Sequence, residues 1–166
     1  MVCCVTGHRP KGFPFPREKE NSGFDQYTKK LLSTIEALIE EGYDHFISGM
    51  AEGADLDFVE CVIALRDRGY PITLEAALPY PISPRKHATQ STQNRRENLL
   101  LKCDCIVTVS PCYFRGCMQK RNRYMVDHAD IVLAIWNGDR HGGTWNTIDY
   151  ASTHKKPIRY IHLSNQ

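Results

Sequence analysis

The sequence predicts an α/β fold: a three-layer, doubly wound arrangement with a mostly parallel sheet of about six strands. Three observations predict it. Short β-branched runs alternate with longer stretches of helical spacing. The short runs are apolar almost throughout, as expected of strands covered by helices on both faces. Small-residue turns follow several of these runs directly, the position where doubly wound sheets hold ligands.

The strand segments fall near Val2–Val5, His45–Ser48, Ile72–Ala77, Cys105–Val109, Ile131–Trp136 and Ile158–His162. Tyr27, Leu31, Leu32, Ile35, Leu38 and Ile39 recur at helical spacing up to Glu41-Gly42, where glycine supplies a stop. Leu56, Val59, Val62, Ile63 and Leu65 form a second stripe, ended by Gly69. Asn98–Leu101, Met118–Val126 and Thr147–Ala151 mark further helices, which gives β-α-β crossovers and hence parallel strands. Pro79-Tyr80-Pro81-Ile82-Ser83-Pro84 ends the third strand and opens a polar stretch to about Asn94. That stretch reads equally as a lid over a binding site or as a surface excursion.

At 166 residues the chain is expected to form a single domain over 1–166. A formal net charge of +2 gives no push toward nucleic acid or membranes, and basic groups occur only locally, at Arg85-Lys86, Arg95-Arg96 and Arg115 through Arg123. No run approaches the length of a membrane span and no secretory leader is evident, so a cytoplasmic location is expected. The seven cysteines are therefore read as free thiols. Cys103, Cys105, Cys112, Cys117 and His128 do not match a zinc spacing, and Cys105 is expected to pack within the sheet. No metal and no cofactor are assigned. No cysteine has a convincing His partner for nucleophilic catalysis.

Three turns carry the candidate site. Thr6-Gly7-His8-Arg9 follows the first strand: Gly7 allows close backbone approach, and His8 and Arg9 offer polar and bidentate contacts to phosphate. Ser48-Gly49-Met50-Ala51-Glu52-Gly53-Ala54-Asp55 follows the second. It has neither a dinucleotide fingerprint nor a P-loop, and Asp55 reads as a helix cap or as a partner for a ribose hydroxyl. Gly142-Gly143-Thr144 is the strongest signal, because paired glycines at a helix start leave amides free for an anion. Before the fifth strand, Arg121 reads as a phosphate ligand or as a surface ion pair with Asp127 or Asp130. Asn122 falls among the apolar Met118, Met125 and Val126 and so needs a polar partner.

Taken in order and spacing, these motifs, with Leu78-Pro79-Tyr80, resemble the SLOG superfamily, which groups the DprA/Smf proteins with the LOG phosphoribohydrolases. The YspA/YpsA-like branch is the most similar, over nearly the whole chain. The resemblance implies a Rossmann-like fold and a nucleotide-type site built from Gly7, His8, Arg9, Gly49, Glu52, Gly53, Asp55, Arg121, Asn122, Gly142, Gly143, Thr144 and Thr147. LOG enzymes carry a catalytic Glu after the glycine-threonine pair; here that position is Thr147, which supplies no carboxylate. Glu52, Asp55, Asp139 and Asp149 are the acids that stand as replacements.

The expectation is a cytosolic sensor or regulatory protein that binds a nucleotide or nucleotide-derived small molecule. The alternatives are an N-glycosidic hydrolase of nucleoside monophosphates and, third, DprA-like binding of single-stranded DNA. The near-neutral charge argues against a nucleic-acid partner. No membrane partner is expected, and pairing as a homo-oligomer is left open.

Overall fold

A computed structural model describes residues 1–81 and 89–165. Strands and helices alternate along it: β1 (Val2–Gly7), α1 (Ser22–Glu40), β2 (His45–Ser48), α2 (Ala54–Asp67), β3 (Thr73–Leu78), α3 (Gln90–Leu100), β4 (Cys105–Thr108), α4 (Cys117–Asp127), β5 (Ile131–Trp136), α5 (Gly142–Thr153) and β6 (Ile158–His162). The strands form one sheet in the order β4-β3-β2-β1-β5-β6, and every neighbouring pair is parallel. This is a Rossmann-like α/β fold.

Strand periodicity divides the core between the two faces of the sheet. Cys3, Val5, Phe46, Leu74 and Leu133 face α1 and α2, meeting Leu31, Ile35, Leu38, Leu56 and Val59. The alternate residues Cys4, Ile47, Ala77 and Val132 face α4 and α5 through Met125, Val126 and Ala151. Helix α1 starts where Asn21 Oδ1 accepts from the amides of Gly23 (2.9 Å) and Phe24 (3.1 Å).

The helical run expected from Asn98 begins instead at Gln90, because Thr89 caps it by accepting from the Thr92 amide at 3.2 Å. The polar connection after β3 is correspondingly shorter. The heart of the expected lid, Ile82, Ser83 and Pro84 with Arg85-Lys86, lies outside the described residues. A second correction concerns Cys105. It does not pack within the sheet: β4 is an edge strand, and Cys105 is exposed.

Asp57 ties the β1–α1 connection and α3 to α2. Its buried carboxylate accepts from Arg17 at 2.8 and 2.9 Å, from Arg95 at 2.9 Å and from the Tyr27 hydroxyl at 2.9 Å. Arg95 also grips Glu60. No described helix is long and apolar enough to cross a membrane.

Candidate functional site

In the observed order β1 lies beside β5, and the chain leaves them in opposite directions, β1 toward β2 and β5 toward β6. Loops that diverge from adjacent carboxyl ends open a crevice between them. That crevice is a cleft of about 460 Å³, within the range of small-molecule sites. Gly7, His8 and Arg9 line it from the loop after β1, Asp55 from α2, Arg121 and Asn122 from α4, and Gly142, Gly143 and Thr144 from the start of α5. Segments far apart in sequence thus meet in one hollow.

The first turn of α5 forms one wall of this cleft. His141 stands at the N-cap with no side-chain bond to the helix, its Nδ1 engaged instead by Asp139 Oδ1 at 2.8 Å. The amides of Gly142, Gly143 and Thr144 consequently have no protein acceptor among the described residues. Unsatisfied first-turn amides and the positive end of the helix dipole favour an anion. Opposite them, Arg9 is exposed and its side chain makes no hydrogen bond or ion pair with a described residue. His8 Nε2 is buried with no hydrogen-bond partner, and burial holds the imidazole below its usual pKa, so it is neutral at neutral pH.

The turn after β2 is built differently. A Cβ on Gly53 would lie 2.6 Å from the His8 carbonyl oxygen, and the φ of +99° at this residue suits glycine. The Ala54 amide donates to that carbonyl at 3.1 Å, so the first amide of α2 is taken up by the loop after β1. Gly49 makes room for Arg121: a Cβ there would lie 2.5 Å from Arg121 Nη1 and 2.9 Å from Asp55 Oδ2. Gly49 and Gly53 therefore pack the walls together and are not among the residues lining the cleft.

Arg121 is 6% exposed, so the surface ion pair with Asp127 or Asp130 does not form. Its guanidinium donates to the carbonyls of Gly49 and, at 3.4 Å, Ala77, and Nε donates to Asn122 Oδ1 at 2.8 Å. Asn122 thereby finds its polar partner on its own helix. Asp55 is buried beside Arg121 and accepts from the Ala51 amide at 3.2 Å. Burial pushes its carboxyl up to about 6, against the pull of Arg121, the Ala51 amide and Arg9.

Two of the sequence-expected residues point elsewhere. Glu52 is exposed and accepts from Thr92 Oγ1 at 3.3 Å, toward α3. Thr147 turns its hydroxyl back onto the Gly143 carbonyl at 2.9 Å and lines a separate groove between α4 and α5, as does Asp149. Of the four acids weighed as replacements for the missing Glu, Asp55 and Asp139 line the cleft, and only Asp55 is buried. Sequence reasoning missed Lys11, Asn137 and His141 as lining residues. Asn137 carried a signal, since it directly follows β5 at the sheet edge. A larger hollow of about 680 Å³ lies along α1 and α2, but its Arg17 and Arg95 are committed to Asp57 and Glu60.

Comparison with known proteins agrees with this architecture. The family model described as the YspA SLOG family matches residues 3–165. An SPbeta prophage-derived protein, YoqJ, of Bacillus subtilis is 33% identical over 136 residues, which cover 74% of this chain and 78% of the relative. A UPF0398 protein of Bacillus pumilus is 24% identical over 172 residues, covering 99% of this chain and 89% of the relative. Among solved structures, DNA processing protein A of Helicobacter pylori, described for its single-stranded DNA binding mode, is similar with a TM-score of 0.61 at 15% identity, covering 96% of this chain. DprA of Streptococcus pneumoniae gives 0.59 at 15% identity, covering 98% of this chain. The chain spans 64% and 50% of the length of those two chains, and the likeness to them is one of fold. With the family model matched from the first strand to beyond the last, the chain belongs to the YspA SLOG family.

Proposed function

We propose that the β1/β5 cleft binds a nucleotide or nucleotide-derived metabolite through its phosphate. The observation that carries the reading is the set of unsatisfied amides at Gly142, Gly143 and Thr144 facing a cleft that also holds Arg9 and Arg121. A phosphate seated there accepts from the helix start while Arg9 closes over it from the opposite loop. Arg121, fixed by main-chain carbonyls, contributes a buried positive field and not a mobile contact. In this reading the protein is a sensor or regulator, and its ligand sets its state.

The test is titration calorimetry of the purified chain with AMP, ADP-ribose, NAD and inorganic phosphate, with a single-stranded oligonucleotide as a separate arm. Saturable binding of a mononucleotide or dinucleotide, weakened at least about tenfold by Gly143→Asp, supports the reading. Absence of binding by every small molecule, or equal binding by the variant, overturns it. Binding of the oligonucleotide alone, with a steep salt dependence, replaces it with the activity named for the Helicobacter pylori neighbour.

Asp55 favours a second reading, hydrolysis of an N-glycosidic bond. A buried cleft carboxyl with its pKa pushed up to about 6 is suited to exchanging a proton near neutral pH. This reading predicts release of free base from a nucleoside monophosphate, abolished by Asp55→Asn. A substrate panel with no base released removes it.

A further inference from the structure

At the opposite end of the sheet from the cleft, three side chains of different donor chemistry converge. His45 opens β2, Glu75 lies in β3 and Cys105 opens β4; register places Thr73 beside His45 and Cys105 beside Glu75. One donor atom from each of His45, Glu75 and Cys105 lies within 4.8 Å of the others. These residues share the sheet face that carries Ile47 and Ala77. We propose that His45 Nε2, Glu75 Oε2 and Cys105 Sγ form a zinc-binding site.

The side chains are already oriented for this. The Thr73 hydroxyl donates to the Asp44 carbonyl at 3.3 Å, which leaves its lone pair for a proton on His45 Nδ1, 2.7 Å away. That arrangement turns His45 Nε2 toward Glu75 Oε2 at 2.9 Å. Two electron-rich atoms facing each other require a cation between them, either a proton or a metal ion. Glu75 Oε1 is held by the Tyr124 hydroxyl at 2.8 Å, which leaves Oε2 for the ion. His45 and Glu75 are thus each fixed by an outer hydrogen bond, the pattern seen around metal-ligating imidazoles and carboxylates.

Glu75 is 7% exposed and sits mid-strand with no Lys or Arg bonded to it among the described residues, an unusual place for a carboxylate with no cationic role. Nearby Asp104, whose Oδ2 accepts from Arg66 and the Leu74 amide, is not part of the cluster. Donors around tetrahedral zinc stand roughly 3.3–3.7 Å apart, so the site closes by a small rotation of the exposed Cys105 side chain. Mixed sulfur, nitrogen and oxygen donation suits zinc better than calcium or magnesium. Three protein donors at an exposed sheet edge leave the fourth position to water or an incoming ligand.

The experiment uses the full chain stripped of metal, zinc titrated against a chromophoric chelator, and cobalt(II) as a spectroscopic probe. One equivalent of zinc is expected, with a thiolate-to-cobalt charge-transfer band in the near ultraviolet. Cys105→Ser should abolish that band, and His45→Gln and Glu75→Gln should each weaken zinc at least about tenfold. Cys112→Ser, at an exposed thiol outside the cluster, should change neither readout. Thermal melts confirm that each variant is folded. No zinc uptake by the wild-type chain overturns the proposal, and so does a cobalt band that survives Cys105→Ser. Neither outcome bears on the nucleotide cleft, whose ligands are separate residues.

Discussion

Replacing Gly49 by alanine tests how the cleft is built. The added Cβ would sit 2.5 Å from Arg121 Nη1 and 2.6 Å from Arg121 Cζ, distances at which something must move. Gly49 does not have a positive φ, so the substitution adds no backbone strain of its own and the whole effect is packing. The guanidinium is the part that yields, and in moving it loses the Gly49 and Ala77 carbonyls. Overpacking of this kind costs about 1–3 kcal/mol, and stranding a buried charge raises the cost toward about 3–5 kcal/mol. Equilibrium urea unfolding measures the loss. Arg121→Met in the same background removes the clashing head, so the double variant should be less destabilised than the sum of the two single variants. An additive double variant, or a Gly49→Ala chain as stable as the parent, would refute the idea that this glycine exists to seat Arg121.

Further outcomes follow from the same geometry. Gly143→Ala should leave stability unchanged within about 0.5 kcal/mol, since a Cβ there meets nothing within 4 Å; a large loss in thermal melts would show that the turn is structural. Asp57→Ala should cost about 3–5 kcal/mol in urea unfolding, because Arg17, Arg95 and Tyr27 lose a shared buried partner. Asp55 has its pKa raised from 3.8 to about 6 in the folded chain, so the native state binds the extra proton. Its contribution is present in full below about pH 4 and is lost as pH rises through about 6, a span of about 3 kcal/mol. Stability measured against pH should lose that component in Asp55→Asn; an unchanged profile would contradict the burial argument.

The layered fold was legible because alternating burial on a two-sided sheet leaves apolar runs such as Ile131–Ile135, and helical stripes such as Tyr27 to Leu38 leave their own spacing. The glycine turns were legible for a related reason: parallel strands put all their following loops at one edge. What each residue does within a turn was not. Gly49 looks like a ligand contact in sequence, yet its role depends on a side chain 72 residues away. Arg121 shares a buried helix face with Cys117 and Met125, and a charged residue at that spacing declares its burial only once its carbonyl partners, Gly49 after β2 and Ala77 in β3, are known. Arg95 looked like part of a basic surface pair until the fold placed it on Asp57 and Glu60. The exposure of Cys105 depends on strand order, since periodicity does not distinguish an edge strand from a central one.

The central claim is that amides at the start of α5 hold a phosphate, and amide chemical shifts read those groups directly. In a nitrogen-proton correlation spectrum titrated with AMP, the signals of Gly142, Gly143 and Thr144 should move most, with Gly7 and Arg9 following and the α4–α5 groove unmoved. Shifts centred on Thr147, Asp149 and Thr153 with the glycine amides unmoved would place the ligand in that groove and contradict the account.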